Sequence, residues 1–281
     1  MSKRDLPAAV VSTRPGIKSD IADVALKRWN PDIRAAEGAA DQATISILEP
    51  IGEDIWGDGV SARRIAAALR YIGERDVVVT INSPGGNFFE GLAIYNLLVE
   101  HPGAVSIKIV GLAASAASVI AMAGDDIQIA RSAFLMIHNT WVAAAGDRHA
   151  LRGVADWLEP FDQAAVDVYH ARSGVDTKTI AAMLDKETWI AGTDAVDQGF
   201  ADRLLGDADV ANAAGTSLYQ TAQAAQQKLD IYLARGGATR SERRKLCAAM
   251  KGGKPDAAPT GMPRAAATEL ARKALETLNT L

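Results

Sequence analysis

Ser115 lies where an alternating apolar run gives way to a helix of small residues, and that position has chemical use. In Val105–Asp125 (VSIKIVGLAASAASVIAMAGD), Val105, Ile107 and Ile109 alternate with Ser106 and Lys108 as a strand does. Gly111 reads as the break in that run, and Ala116–Ala123 reads as a tightly packed helix. The first N–H groups of a helix have no partner inside it, and the dipole favours negative charge there. A serine oxygen at that point is placed to attack a carbonyl while backbone N–H groups receive the oxyanion. The plainer reading is an N-cap, the usual role of serine at a helix start. A second stretch, Asn82–Gly86, is a turn in which Pro84 and two glycines allow unusual dihedrals.

The elements that must position these residues alternate in type. Ala43–Leu48 reads as a first strand. Ile51–Gly59 is loop-like, and Ser61 opens a helix carrying Ile65, Ala68, Leu69 and Ile72, which Gly73 ends. Asp76–Ile81 is a β-branched run of the kind found in buried parallel strands. Phe89–Glu100 is a helix closed by Pro102 and Gly103, and Ile127–Ile129 and Ala133–Ile137 are short strands. The order β-α-β-α-β-α-β implies a parallel sheet with helices packed on it. Gly146–Ser173 is the longest helical pattern, and its phase holds across Pro160, which predicts a kink or two near-coaxial helices. Thr179–Leu184 is a short helix, and residues 187–205 supply one more helix and a closing strand.

Residues 1–42 lack sustained periodicity and read as a partly ordered arm, residues 43–206 as the main domain, and residues 207–281 as a tail. The tail runs from an Ala/Gln-rich helical part through Gly236-Gly237, a basic segment and a Gly/Pro-rich linker at 252–264 to a helical pattern at 265–281. The 281 residues are 48% hydrophobic, enough for a sizeable core, and carry a net charge of −4, so no global basic field recommends nucleic acid. Cys247 is the single cysteine, which excludes an internal disulfide framework and a multi-cysteine metal site and fits a reducing compartment. The apolar stretch Ile109–Gly124 falls short of the roughly 20 residues a membrane span needs, and a cytoplasmic protein is expected.

INSPGG at 81–86, GLAASAAS at 111–118, MIHN at 136–139 and ETWIAGTDAVDQGFAD at 187–202 together resemble the ClpP-type serine peptidases, over roughly residues 43–205. GLAIYNLLVEHPG and AMAGD bring the wording closer to the ClpP-related head-maturation proteases of tailed bacteriophages. The resemblance implies a ClpP/crotonase-like α/β fold of repeated βαβ units with a projecting helical handle. It makes Ser115 the nucleophile and His138 the general base, a pairing the weakly nucleophilic hydroxyl requires. His101, His149 and His170 lie in a loop or at helix ends and are poorer candidates. Glu187, two residues before Trp189, stands where the family has its aspartate; Asp185 is the rival, and a third reading leaves the pair without either. The oxyanion hole falls to the N–H groups of Gly86 and Ala116. Gly85, Asn87 and Phe88 are expected at the cleft, where a substrate peptide is held by β-augmentation.

The implied activity is ATP-independent serine endopeptidase processing of capsid or scaffold protein in an assembling phage head, with no cofactor and no metal. The substrate is a polypeptide, and the apolar stripe on 151–168 suits a homo-oligomeric ring, a heptamer or stacked rings. The alternatives are a ClpP-like peptidase fed by an ATPase, an acyl-CoA enzyme of the crotonase type, and a non-catalytic assembly scaffold. The AAS and MIH motifs argue against the acyl-CoA enzyme, whose chemistry needs no Ser–His pair. The basic part of the tail suits at most weak contact with DNA.

Overall fold

A computed structural model describes residues 18–19, 21–31, 33–35, 43–52, 59–206, 210–212 and 218–250. The linker expected at 252–264 and the helix expected at 265–281 lie outside them, as does most of the 51–59 loop. The chain forms two compact units, one of residues 1–52 and 59–216, the other of residues 53–58 and 217–281.

The first unit begins with β1 (Lys18–Ser19), α1 (Asp23–Arg28) and β2 (Ile33–Ala35), followed by β3 (Ala43–Ile47) and α2 (Ala62–Ile72). Next come β4 (Val77–Ser83), α3 (Phe88–Val99), β5 (Val105–Ala114) and α4 (Ala116–Ala121). β6 (Asp126–Ile129), β7 (Phe134–Ile137) and β8 (Val142–Ala143) lead into α5 (Arg148–Ser173) and α6 (Thr177–Asp185). β9 (Thr188–Ala191), α7 (Gly192–Asp197), β10 (Arg203–Leu204) and β11 (Val210–Asn212) close it.

Five strands pair in the order β10-β6-β5-β4-β3, all parallel, as the alternation of strand and helix predicts. β5 is the longest of them and serves two neighbours. Its first half pairs with β6, and its second half with β7, also parallel, through Leu112↔Phe134 and Ala114↔Met136. β9 then adds to β7 antiparallel, with Ile137 opposite Thr188. Gly111 does not end the strand. Its absent Cβ makes room for the Asn82 carboxamide, whose Oδ1 would stand 2.7 Å from such an atom, and β5 runs on to Ala114.

All seven residues of β4 are buried, as expected of a central parallel strand. α2 contributes Ile65, Leu69 and Ile72 to this core. The helix expected over 146–173 is one element, Arg148–Ser173, with Pro160 inside it. At 1.5 Å per residue it is about 39 Å long. Asp147 caps its start through the N–H groups of His149 and Ala150, and Gly174 ends it in a left-handed conformation. Its second half buries Phe161, Ala165, Val166, Val168 and Tyr169, whereas Leu151 near its start is exposed. Phe89, Trp157 and Phe161 join α5 to α3, with ring centroids 4.9–5.5 Å apart.

The region read as an N-terminal arm contributes ordered structure to this unit. Trp29 is 2% exposed and its indole N–H donates to the Asn82 carbonyl at 2.9 Å. Asn82 in turn donates to the carbonyls of Asn30 and Ile33 and accepts from the Leu112 N–H. β2 pairs with β11 and β1 with β8, both antiparallel.

The second unit contains α8 (Leu218–Arg235) and α9 (Arg240–Met250), joined by the turn at Gly236-Gly237. Thr239 and Glu242 form a capping box at the start of α9. Arg243 meets Asp230 at 2.6 Å, and Leu233 and Cys247 are buried in this unit.

Candidate active site

Sheet register brings the residues of the site to one edge. Ser115 is the first residue beyond β5, His138 the first beyond β7, and Glu187 the last before β9. β5 and β7 run parallel and β9 antiparallel, so all three residues emerge at the same end of the sheet. The turn expected over Asn82–Gly86 begins only at Pro84, because Asn82 and Ser83 extend β4; Ser83 is opposite Ala113, and Pro84–Gly86 arrives at that end from the other side.

Ser115 Oγ lies 2.6 Å from His138 Nε2. The Ser115 backbone is held at φ 55 and ψ −123, and its N–H donates to the Met136 carbonyl at 2.8 Å. Its side chain does not cap α4, so the plain N-cap reading fails and the hydroxyl is left to the histidine. Among the described residues Ser115 and Glu187 are the two non-glycine residues with positive φ, the latter at 50. Each such conformation costs about 1–3 kcal/mol, and strain of that kind concentrates at functional sites.

Burial lowers the His138 pKa, and the nearby Glu187 charge raises it in opposition. Asp185, the rival acid, is exposed and instead accepts from the Asn139 carboxamide at 2.8 Å. Glu187 accepts from the Trp189 indole N–H at 3.3 Å. The other histidines are engaged elsewhere: His101 with the Arg75 carbonyl, His170 with the Val175 carbonyl and His149 with Arg148.

The loop carrying His138 is tied down on two sides. Asn139 reaches Asp185 at the end of α6, and the Thr140 N–H donates to Asp162 of α5 at 2.6 Å. Burial is the main cause that pushes the Asp162 carboxyl up, while the Thr140 N–H works against it.

Gly85 and Gly86 have φ 86 and 147, conformations that favour glycine. A Cβ on Gly85 would stand 2.5 Å from the Ala114 carbonyl oxygen and 2.8 Å from Ser115 Cβ. Ile51 donates to the Gly85 carbonyl and accepts from the Asn87 N–H. By the alternation of strand pairing, the N–H of Gly86 then faces away from Ile51. Ala116 opens α4, so its N–H has no acceptor within the helix. Asn87 and Phe88, expected at the cleft, spend their side chains elsewhere. Asn87 caps α3 through the N–H groups of Phe89 and Glu90, and Phe88 is 5% exposed among core residues.

Sequence reasoning missed Ser118 and Tyr169. Ser118 Oγ is fully buried and reaches the carbonyls of Ser115 and Met136 at 2.7 and 2.9 Å and the Tyr169 hydroxyl at 2.8 Å. It therefore locks the Ser115 turn to β7 and to α5 at once. The second serine of AASAAS was the available signal, three residues after Ser115 on one turn of helix. Among the described residues no group of three or more His, Cys, Asp or Glu is placed to hold a metal ion.

A family model for Clp protease matches residues 38–208. The chain is 32% identical over 135 residues to the ATP-dependent Clp protease proteolytic subunit 3 of Rhodococcus jostii, covering 47% of this chain and 66% of that protein. It is 29% identical over 168 residues to proteolytic subunit 1 of Prochlorococcus marinus subsp. pastoris, covering 58% and 85%. A Bacteroides fragilis proteolytic subunit matches at 28% over 156 residues, covering 53% and 74%. With the fold, the matched span and the Ser–His contact in agreement, the chain belongs to the Clp protease family of serine endopeptidases.

Proposed function

We propose that this chain hydrolyses polypeptides through an acyl-enzyme, with Ser115 as nucleophile, His138 as general base and Glu187 as the acid that supports the imidazolium. The observation that carries this reading is the 2.6 Å contact between Ser115 Oγ and His138 Nε2 at a strained strand-to-helix turn. With the ring neutral and its proton on Nδ1, Nε2 takes the hydroxyl proton as Oγ attacks the scissile carbonyl. The N–H groups of Gly86 and Ala116 receive the oxyanion. His138 then returns the proton to the leaving amine, and water repeats the sequence to release the acyl group. The acid is Glu187 rather than Asp185 because its charge acts on His138 while Asp185 is occupied by Asn139. The working form is a homo-oligomeric ring in the cytoplasm. Among the described residues no helix is long and apolar enough to cross a membrane.

The biological setting we propose is processing of capsid or scaffold protein in an assembling phage head, without an ATPase. Its support is the wording of GLAIYNLLVEHPG and AMAGD and the tail of about 75 residues beyond Gly206. A second reading, degradation of unfolded protein fed by an ATPase, is favoured by the names of the relatives, which are subunits of ATP-dependent proteases. A fluorophosphonate label on Ser115 in the wild type, absent from Ser115→Ala, tests the chemistry. Co-expression with neighbouring capsid genes, comparing particle proteins by mass spectrometry with and without Ser115→Ala, separates the settings. Capsid proteins cut at defined sites support the first, and unprocessed particles overturn it.

A further inference from the structure

One group of contacts next to the site is not used by the chemistry above. Trp189, the second residue of β9, donates its indole N–H to Glu187 Oε1 at 3.3 Å. The Arg28 guanidinium lies over the same indole, 4.2 Å from the ring centroid. Arg28 is the last residue of α1, and the next residue, Trp29, is the buried anchor bonded to Asn82. Asn82 also accepts from Leu112 of β5 and donates to the two carbonyls that follow α1. α1 is thereby fastened to the two strands that lead into the NSPGG turn and Ser115.

We propose that Trp189 is a positioning residue for Glu187 and that Arg28, presented by the N-terminal helix, holds Trp189 in place. This rests on the reading of Glu187 as the supporting acid. Glu187 sits at φ 50, a conformation its own backbone does not favour, and its half-buried carboxylate has rotamers that point away from the histidine. The indole N–H selects the one that keeps the charge beside His138. A cation over an indole face is attracted by the ring quadrupole, so Arg28 limits the swing of the ring. The region of the chain that lacks sequence periodicity thus contributes to the geometry of the triad.

The consequence is a pH signature. The charge of Glu187 raises the His138 pKa against burial. A Glu187 that wanders leaves the imidazolium less supported, so the acid limb of kcat/KM moves to lower pH while the plateau falls. Loss of packing alone lowers the plateau and leaves the midpoint in place. The other charged groups around the 138–140 loop are Asp162 and Glu159 of α5 and Asp185 at the end of α6, and neither variant below alters them.

The test uses the full-length chain and an unstructured fluorogenic peptide, from pH 5 to 9, with fluorophosphonate labelling of Ser115 in parallel. Trp189→Phe keeps the ring and removes the N–H; it is expected to lower kcat/KM about 10-fold and to move the midpoint in the direction that Glu187→Gln moves it. Arg28→Ala alters an exposed side chain and should give about a 3-fold loss with the same direction of shift, and Arg28→Lys should restore the wild-type profile by keeping the cation. An unmoved midpoint in Trp189→Phe, with or without a lower plateau, overturns the proposal. If that variant does not fold, Arg28→Ala decides alone by the same criterion. A wild type that neither labels at Ser115 nor loses turnover in Ser115→Ala overturns the protease reading instead, and this proposal falls with it.

Discussion

The two sides of the site are built in different ways. On the nucleophile side, Ala114, Ala116 and Ala117 are fully buried, and Gly85 touches the Ser115 turn with no room for a Cβ. That side is positioned by volume exclusion and by a backbone conformation. On the base–acid side, His138, Glu187 and Trp189 are only half-buried, and Asp185 is exposed. That side is positioned by single polar contacts: Asn139 to Asp185, Thr140 to Asp162 and Trp189 to Glu187. Volume exclusion is indifferent to pH and salt, whereas contacts to carboxylates respond to both. Damage on the first side should remove folding and activity together, and damage on the second should degrade activity by degrees.

The strongest check removes the reacting groups themselves. Ser115→Ala and His138→Ala should each lower peptide hydrolysis by about 10⁴-fold or more, and the double variant should be scarcely worse, because the two act as one unit. Turnover measured alongside thermal unfolding should show the loss without a matching loss of stability. Glu187→Ala should cost less than either, and Asp185→Ala less again; a dead Asp185→Ala beside a silent Glu187→Ala would reassign the acid.

Gly85→Ala tests the packed side directly. It forces a Cβ against the Ala114 carbonyl and Ser115, so it should lower stability by about 1–3 kcal/mol and displace the nucleophile. Denaturant unfolding and fluorophosphonate labelling should therefore fail in parallel. If labelling is lost at unchanged stability, the two sides do not differ as described.

The pH profile sharpens the other side. In the proposed mechanism the neutral ring is the base, so kcat/KM falls as pH drops through the His138 pKa. Burial lowers that pKa more than Glu187 raises it, so the midpoint should lie below the ordinary histidine value of about 6.5. A midpoint above that value would mean Glu187 outweighs burial. The last expected effect is read in stability rather than in turnover. Ser118→Ala strips the buried Tyr169 hydroxyl of its partner and should cost about 1–3 kcal/mol, partly recovered in Ser118→Ala with Tyr169→Phe.

The same contrast decides what was legible in the sequence. The β-branched run of β4, the alternation in β5, the small residues of α4 and the order of the motifs are local patterns, and the parallel sheet follows from them. The meeting of Ser115 and His138 was foreseeable because each sits at a strand end inside a motif. The contacts of Arg28, Trp29 and Tyr169 span 50 to more than 150 residues and leave no periodicity. α1 has six residues and β2 three, too short to imprint a repeating pattern, so residues 1–42 read as an arm. Gly111 misled because a glycine in a strand reads as a stop, whereas here it admits the Asn82 side chain.

The meeting of α3 and α4 limits how this enzyme can change over generations. A Cβ on Gly91 would lie 2.8 Å from Ala116 Cβ, the same separation found between such an atom on Gly85 and Ser115 Cβ. In an ordinary core a larger residue at one position is accommodated by a smaller one opposite, and a lineage can drift by such trades. Here the opposing residues are already glycine and alanine or the nucleophile itself, so there is no volume left to exchange. Any enlargement must move α4, and Ser115 is its N-terminal neighbour. Variation is then channelled to the polar tethers on the far side, where substitutions come singly and with smaller penalties.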